Sequence, residues 1–274
     1  MRNDDLAVLE HENWIAYLTG VVTCTDRAEV TRSGGVVSIL TGLPFDWFNQ
    51  VLIEREEATP AGVLAGVAQA RERGLSFVVR LREGFDDRLI PTLTRAGLAS
   101  AQVDSVTPGM VAFPIDHEAI ASYVSPALEI RQIADLAGID AHRHVVTAGF
   151  GSDPAVALGT ACLDLLDRPE CVVYVGYASG DPVVSGLGWR TGRTIGVYSI
   201  ATIASARRRG FGAAMTAHVV ADGMVTGCDV AALQASEMGL PIYERLGFRT
   251  VVRYATYMDP VMARDRAPTG DRSA

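Results

Sequence analysis

The sequence contains no lysine, so all 24 of its basic residues are arginine, and they face 32 acidic residues for a net charge of −8. Residues 1–120 hold 10 arginines and 17 acidic residues, a balance of −7, whereas residues 121–274 hold 14 and 15, a balance of −1. An acidic chain does not present the broad basic surface that nucleic acid requires, so we expect no nucleic-acid partner. The acidic first half slightly favours a cationic substrate such as an amine.

Paired cysteines and long apolar runs are also absent. The four cysteines (Cys24, Cys162, Cys171 and Cys228) form no CxxC pair, and no histidine stands at metal-ligand spacing, so neither a zinc site nor a disulfide framework is indicated. We expect reduced, mostly buried thiols. No apolar run reaches the roughly 18 residues that span a bilayer, and the N-terminus is acidic and polar, unlike a signal peptide. These absences predict a cytoplasmic protein with no metal and no membrane partner.

The first half alternates between helices and strands. Apolar residues recur at helical spacing over residues 3–20. Two short strands at 29–32 and 36–41 flank a Ser-Gly-Gly turn, and Thr59 and Pro60 open a helix at 61–73. Strands at 51–54 and 75–80, a helix at 86–96, and strand character at 103 and 110–113 complete an alternating α/β unit. This half has no phosphate-binding turn of its own.

The second half begins near residue 115 with a different order of elements. A strand at 128–133 precedes two helices, at 135–148 and 154–166, the second capped by Asp153. Three strands at 171–179, 183–189 and 194–203 are joined by short turns, which predicts an antiparallel meander. A helix at 213–225, a strand at 229–235, a short helix at 239–246 and two strands at 248–252 and 253–258 follow. The polar tail is expected to be disordered.

A strand, a turn and a helix follow one another directly over residues 195–225. The turn reads Arg207-Arg208-Arg209-Gly210-Phe211-Gly212. Glycine lets backbone approach a ligand closely, and a helix start carries unpaired N–H groups and partial positive charge. These features favour a bound pyrophosphate. The turn is neither a Walker A motif nor a dinucleotide G-x-G-x-x-G motif. On its own, it equally fits an arginine-rich helix start with glycines for packing.

A second motif, on residues 236–248, follows in the right order and on the right elements. The two motifs together resemble the GNAT superfamily of acyltransferases over residues 128–259. That family's pyrophosphate turn, (Gln/Arg)-x-x-Gly-x-(Gly/Ala), is matched by Arg207, Gly210 and Gly212. Its later signature, Leu-Tyr-x-x-x-Gly-Phe, resembles the IYERLGF of residues 242–248.

The resemblance implies a fold and a division of the chain. The implied class is α/β (α+β), with a mixed, mostly antiparallel twisted sheet flanked by helices. Residues 1–120 are compatible in element order with a degenerate copy, so we expect two such halves in tandem. The predicted domains are a degenerate, substrate-shaping domain at 1–120, an acetyltransferase domain at 121–260 and the tail at 261–274. The assembly is expected to be a monomer or a homodimer.

The resemblance also implies acetyl-coenzyme A as co-substrate. Backbone groups of the strand at 194–203 would hydrogen-bond the pantetheine arm, at Ile200, Ala201, Thr202 and Ile203. The turn and helix start would hold the pyrophosphate, through Arg207, Arg208, Arg209, Gly210, Phe211, Gly212 and Ala213. The strand and its neighbour are expected to splay apart, with the thioester in the gap.

Tyr243 stands where the family keeps its general acid. A phenol can return a proton to the departing thiolate because the two groups have comparable pKa values. Ser236 is either a contact to the ligand or to the helix of Tyr243, or a plain N-cap. The glutamate that many relatives use as general base is replaced by Gly196, so the base stays open. The candidates are a water chain, Glu237, Tyr198, His142 and His144, of which we expect both histidines to lie at the surface.

The sequence therefore predicts an acetyl-coenzyme A-dependent N-acyltransferase acting on a small amine. Direct transfer in a ternary complex is expected, since no nucleophile with a partner base stands out. The alternative is a coenzyme A-binding sensor or regulatory protein without turnover. The missing glutamate favours that alternative, and the presence of Tyr243 speaks against it. A structural or nucleic-acid-binding role is disfavoured by the acidic balance and by the two motifs.

Overall fold

The computed structural model describes residues 1–101 and 106–260 of the chain. Their helices are α1 (Asn3–Val21), α2 (Pro60–Glu72), α3 (Ile90–Arg95), α4 (His117–Ala121), α5 (Leu136–Phe150), α6 (Pro154–Leu158), α7 (Leu163–Leu166), α8 (Phe211–Val225) and α9 (Leu240–Arg245). Their strands are β1 (Glu29–Ser33), β2 (Val36–Leu40), β3 (Asn49–Ile53), β4 (Val78–Arg82), β5 (Ala99–Ser100), β6 (Val106–Ala112), β7 (Glu129–Gln132), β8 (Cys171–Ala178), β9 (Asp181–Thr191), β10 (Thr194–Thr202), β11 (Val230–Gln234) and β12 (Arg249–Met258). The predicted disordered tail at 261–274 and the strand character at Val103 lie outside the described residues.

The chain divides into two compact units, neither of which is a continuous segment. The larger unit comprises Met1–Asp26 and Pro108–Val251, and the smaller unit comprises Arg27–Thr107 and Val252–Ala274. This division differs from the linear boundary predicted at residue 120. The reason is that α1 packs on β9, β10 and β11 of the larger unit, while most of β12 belongs to the smaller unit, where residues 254–257 pair with β4.

The smaller unit is built on the strand order β1-β2-β3-β4-β12, with β5 paired to β12. Neighbouring strands are antiparallel except β3 and β4, which are parallel and are connected through α2. α2 begins as its sequence predicts, because the side chain of its N-cap Thr59 accepts a hydrogen bond from the Gly62 N–H and Pro60 occupies the first turn. The apolar face of α2 packs on β2 and β3 and buries residues such as Val63 and Val67.

The larger unit has the strand order β6-β11-β10-β9-β8-β7. β8, β9 and β10 form the predicted antiparallel meander, and β10 and β11 are parallel and connected through α8. α8 packs its buried residues, including Phe211 and Met215, against one face of these strands. On α1, Leu6 packs with Val230 and Ala232 of β10's neighbour β11. α1 and α8 lie far apart in the sequence of the larger unit, yet both pack on β9 and β10.

Several details of the element prediction were wrong. The strand predicted at 75–80 begins three residues later, as β4, and β5 was not predicted. The helix predicted at 154–166 is two short helices, α6 and α7, because Gly159 ends the first and Cys162 is extended. The two strands predicted at 248–258 form the single strand β12. α4, which is capped by Asp116, was not predicted. Within residues 1–101 and 106–260, no helix combines the length and the apolar character needed to cross a membrane.

Candidate functional site

The candidate site begins where two parallel strands separate. β10 and β11 are paired at three positions only, from Thr194 to Gly196 of β10, although β10 continues to Thr202. Beyond Gly196, no described strand pairs with the edge of β10 that faces β11. The predicted separation of the two strands is therefore present, and its occupation by a thioester remains a prediction.

A β-bulge changes the direction of β10 at the beginning of this gap. The pairing with β9 shifts register between Tyr198 and Ala201, so that two residues of β10 oppose one residue of β9. Ser199 adopts a left-handed conformation with a φ of 51°, and the Ser185 hydroxyl donates a 2.9 Å hydrogen bond to its carbonyl. Bulges are common beside binding sites because they redirect the chain without ending the strand.

The four residues predicted to meet the pantetheine arm follow this bulge. Ala201 is buried, whereas Ile200, Thr202 and Ile203 are half-buried. Two of their backbone groups already have partners. The Ile203 N–H donates to the Val183 carbonyl at 3.1 Å, and the Thr202 carbonyl accepts from the Arg207 guanidinium at 3.3 Å. The contribution of Ile203 through its N–H is thus the least available of the four.

The turn between β10 and α8 leaves its backbone donors open. φ is −65° at Arg207, 61° at Arg208, negative at Arg209 and 80° at Gly210, so its sign alternates along the turn. Such alternation turns successive N–H groups toward one concavity, which suits an anion. Among the described residues, none accepts a well-formed hydrogen bond from the six consecutive N–H groups of residues 208–213. No atom lies within 4 Å of the position that a Cβ on Gly210 would take.

The three arginines of the turn have different surroundings. Arg207 donates to the Thr202 carbonyl at 3.3 Å and to the Gly149 carbonyl at 2.6 Å, so its side chain fixes the turn against the end of α5. The Arg209 guanidinium lies 4.6 Å from the centroid of the Phe211 ring. All three side chains are exposed. Among them, Arg207 is hydrogen-bonded to backbone carbonyls, whereas Arg208 and Arg209 have no such bond to a described residue.

Tyr243 lies on α9, in the segment that follows β11. Its ring packs edge-on at 6.1 Å from the Phe248 ring and directly over Gly239, where a Cβ would lie 2.8 Å from a ring carbon. Burial raises the pKa of Tyr243 to about 12, so its phenol is protonated at neutral pH. No described residue forms a hydrogen bond with its hydroxyl group. A residue that donates a proton to a thiolate must itself be protonated, as the phenol of Tyr243 is.

Ser236 and Glu237 precede α9 and are exposed. The Ser236 hydroxyl accepts a 3.2 Å hydrogen bond from the Gly239 N–H, which is the capping contact considered above as the alternative to a ligand contact. The side chain of Glu237 reaches solvent, and its predicted catalytic role remains a prediction.

The fold is that of known acetyltransferase structures. No protein-family model matches the sequence, and a search of curated proteins finds no match. A GCN5-related N-acetyltransferase from Kribbella flavida has 17% sequence identity and a TM-score of 0.65, covering 91% of this chain and 95% of its own. One from Sphaerobacter thermophilus has 15% identity and a TM-score of 0.58, covering 81% and 76%. The chain has the GNAT fold. The predicted fold class is thereby confirmed.

The tandem arrangement is also found among the GNAT structures. A tandem GNAT protein from the clavulanic acid biosynthesis pathway has 11% identity and a TM-score of 0.61, covering 85% of this chain and 83% of its own. This coverage exceeds either unit alone. The sequence carries a matching repeat that was missed: IPTLTRAGL at 90–98 and LPIYERLGF at 240–248 share a proline, an arginine and a glycine at the same offsets. Leu93 of the first copy corresponds to Tyr243 of the second.

The glutamate expected from the GNAT resemblance is absent, and its space is filled from α1. A Cβ on Gly196 would lie only 1.9 Å from Asn13 Oδ1. Asn13 Nδ2 donates to the carbonyls of Trp189 and Thr194 at 2.9 and 3.4 Å, and Asn13 Oδ1 accepts from the Tyr198 hydroxyl at 2.6 Å. Asn13 is therefore held rigidly at the place where many GNAT relatives carry the glutamate side chain.

The alternative bases are limited by their surroundings. Tyr198 is buried and stacked on Tyr17 at 3.7 Å, and burial raises its pKa well above the usual value while its proton is donated to Asn13. His142 is completely buried, so the expectation that it lies at the surface was wrong. Burial lowers its pKa to about 4, and neither ring nitrogen has a hydrogen-bond partner among the described residues. His144 is exposed as expected.

One face of α1 was missed as part of the site region. Glu10, Asn13 and Tyr17 lie at positions i, i+3 and i+7, which places them on one side of the helix. Glu10 is completely buried and accepts a 2.5 Å hydrogen bond from Gln234, at the end of β11. Polar residues that fall at helical spacing on the same side as the apolar residues of α1 were the available signal. Within the described residues, no group of three or more potential ligand side chains could hold a metal ion.

Proposed function

We propose that the chain is an acetyl-coenzyme A-dependent N-acyltransferase that transfers an acetyl group to a small amine directly, within a ternary complex. The observation that carries this proposal is the run of six unpartnered N–H groups at residues 208–213, beside a strand edge that has separated from its neighbour. The likeness to GNAT structures supports the same conclusion at the level of the fold.

The residues present fit coenzyme A. When bound, acetyl-coenzyme A would supply the activated acyl group. The N–H groups of residues 208–213 would hold the pyrophosphate, and the guanidinium groups of Arg208 and Arg209 would add positive charge. The free edge of β10 around Ile200 and Thr202 would bind the pantetheine arm as an added strand does. Arg207 would keep the turn in place through its two backbone contacts.

Tyr243 would act as the general acid. It holds a proton on its phenolic oxygen at neutral pH, because burial raises the pKa to about 12. Donation of this proton to the departing thiolate would complete transfer once the amine has attacked. The proton lost by the amine would go to a base, for which Glu237, His144 and water are the open candidates. The excess of acidic residues in the first half, and the expected cytoplasmic setting, support a cationic amine as acceptor.

A second candidate function, a coenzyme A sensor without turnover, is favoured by one observation. The place of the family's glutamate is closed by Asn13, which leaves no carboxylate there. Both candidates require coenzyme A binding, so they are separated only by chemistry.

The test combines calorimetry with an assay of thiol release. Coenzyme A binding is titrated first, and release of free thiol from acetyl-coenzyme A is then followed over a panel of small amines. Amine-dependent release by the wild type, lost in a Gly210→Asp variant, supports the transferase. Binding without release on any amine supports the sensor. Absence of coenzyme A binding overturns both.

A further inference from the structure

Two cysteines that are distant in sequence meet in the larger unit. Cys24 ends the short 3₁₀ turn after α1, and Cys162 stands directly before α7. Their sulfur atoms are 2.7 Å apart, with the Cys24 thiol donating to Cys162 Sγ, across a sequence separation of 138 residues. Each is half-buried, whereas Cys171 and Cys228 are buried. This pairing could not be predicted from the sequence, because no short motif joins the two positions.

The environment makes the two thiols unequal. The hydrogen bond from Cys24 lowers the pKa of Cys162, which favours its thiolate form. The same hydrogen bond, together with burial, raises the pKa of Cys24. A thiolate beside a protonated thiol is the arrangement of a reactive cysteine with its resolving partner. Burial raises the pKa of the nearby Cys171 to about 12, so this third thiol does not compete as a nucleophile.

We propose that Cys24 and Cys162 form a reversible disulfide when the protein meets hydrogen peroxide. The Cys162 thiolate attacks one peroxide oxygen, so that an S–O bond forms, the O–O bond breaks and hydroxide leaves to become water. Cys24 Sγ then attacks the sulfenic sulfur, so that the S–S bond forms, the S–O bond breaks and a second water carries away the thiol proton. The two sulfurs together lose two electrons, and the peroxide gains them.

The bond would join the end of α1 to the segment between α6 and α7. α1 is the helix whose Asn13 closes the space at Gly196. A disulfide of this kind serves as a reversible sensor rather than a permanent brace wherever a thiol pool can reduce it. The proposal does not depend on the acyltransferase function, since neither cysteine belongs to the candidate cofactor site.

The experiment treats the reduced full-length protein with a small molar excess of hydrogen peroxide at neutral pH. Free thiols are then alkylated under denaturing conditions, and the protein is digested for peptide mass analysis. Trypsin alone is insufficient because Arg168 precedes Pro169, which leaves Cys162 and Cys171 on one peptide. A glutamate-specific protease separates the two by cleaving after Glu170.

The expected result is a linked pair of peptides containing Cys24 and Cys162, loss of two of the four thiols, and full recovery with dithiothreitol. Cys24→Ser, whose hydroxyl still donates to Cys162 but cannot form a disulfide, should leave Cys162 as a sulfenic acid that dimedone traps. Cys162→Ala should abolish the reaction, and Cys228→Ala should behave as the wild type. The proposal is overturned if all four thiols remain alkylatable, or if the linked peptide contains Cys171. Because the linkage is mapped in the wild type, the test holds even if a variant fails to fold.

Discussion

Two strand–turn–helix segments of this molecule, β3 to α2 and β10 to α8, have the same element order but use their backbone donors in opposite ways. In the smaller unit, the turn from β3 to α2 donates three of its N–H groups to carbonyls of the β1–β2 hairpin. The Gly35 carbonyl accepts from Glu54 and Arg55, and the Gly34 carbonyl accepts from Thr59. Pro60 has no N–H to offer, and the β3–β4 pairing continues to Leu52, next to the last residue of β3. This turn is closed to an anion.

In the larger unit, the corresponding segment from β10 to α8 is open. Its amides at 208–213 have no partner among the described residues, and β10 and β11 part after three pairs. The fold alone therefore does not make an anion site. Such a site also requires backbone donors that the protein leaves unpaired.

The short helices α3 and α9 extend the comparison to the chemistry. Each starts with a proline in its first turn and is followed by a glycine with positive φ, Gly97 or Gly247. At the matching position, α3 has Leu93, which is completely buried in the core of the smaller unit, and α9 has the half-buried Tyr243. The smaller unit therefore has neither the open turn nor a phenol at this position.

The largest expected effect comes from closing the open turn with charge. Gly210→Asp should weaken coenzyme A binding about 1,000-fold or more, because a carboxylate within roughly 4 Å of the pyrophosphate costs several kcal/mol. Calorimetry measures the change. Gly210→Asn is the matched control, since asparagine is similar in size, is neutral and tolerates the positive φ. Equal loss in both variants would attribute the effect to shape, and affinity retained in Gly210→Asp would contradict the site.

The next effect concerns the proton donor. Tyr243→Phe keeps the ring over Gly239 and removes only the hydroxyl, so kcat should fall about 100-fold while coenzyme A affinity changes less than about twofold. The phenol donates only while protonated, below its pKa of about 12, so the wild type should keep this acid across the neutral and mildly alkaline range. Steady-state kinetics between pH 6 and roughly 10 check both statements. Unchanged turnover in the variant would assign the acid elsewhere.

A third prediction contrasts glycines in the first turns of α2 and α8. A Cβ on Gly62 would lie 2.5 Å from the Ser33 carbonyl oxygen, so Gly62→Ala should cost about 2 kcal/mol of stability. A Cβ on Gly212 would lie 3.5 Å from Thr202 Oγ1, an ordinary contact, so Gly212→Ala should change stability by less than about 0.5 kcal/mol. Urea unfolding measures both. A tolerant Gly62 would show that the hairpin does not close the turn of the smaller unit.

The smallest effect concerns how α9 begins. Ser236→Ala removes the hydrogen bond to the Gly239 N–H and should cost about 1 kcal/mol of stability, with turnover changed less than about twofold. Glu237→Gln, at the exposed neighbouring position, is the matched variant and should leave stability unaltered. A large loss of turnover in Ser236→Ala at constant stability would give the serine a catalytic role, and such a loss in Glu237→Gln would identify the base.

Local features of the fold were predictable because they are encoded within a few residues. Thr59 with Pro60 specified the start of α2, and short turns specified the meander of β8 to β10. The turn at 207–212 was predicted from its glycines. The left-handed conformation of Arg208 could not be predicted, because arginine has no preference for a positive φ. The role of Arg207 in binding Gly149 also depends on a residue from a distant helix.

Long-range features could not be read from the sequence. The placement of α1 on β9 to β11 makes the larger unit discontinuous, and a linear reading of the chain has no means to assign it. Asn13 fills the space of Gly196 only after this packing, so the absent glutamate could be noticed but its replacement could not. The burial of His142 and the meeting of Cys24 with Cys162 have the same cause, since each depends on neighbours that are remote in sequence.

Amide hydrogen exchange of the wild-type protein with and without saturating coenzyme A tests the central claim most directly, since it reads both turns in one experiment. The account predicts that exchange slows at least about tenfold at residues 208–213, whose N–H groups gain acceptors. Exchange should be unchanged at the residues of the other turn whose N–H groups already have acceptors, namely residues 54, 55, 58, 59, 62 and 63. Exchange at 208–213 that does not respond to coenzyme A, or slowing confined to 54–63, would contradict the account.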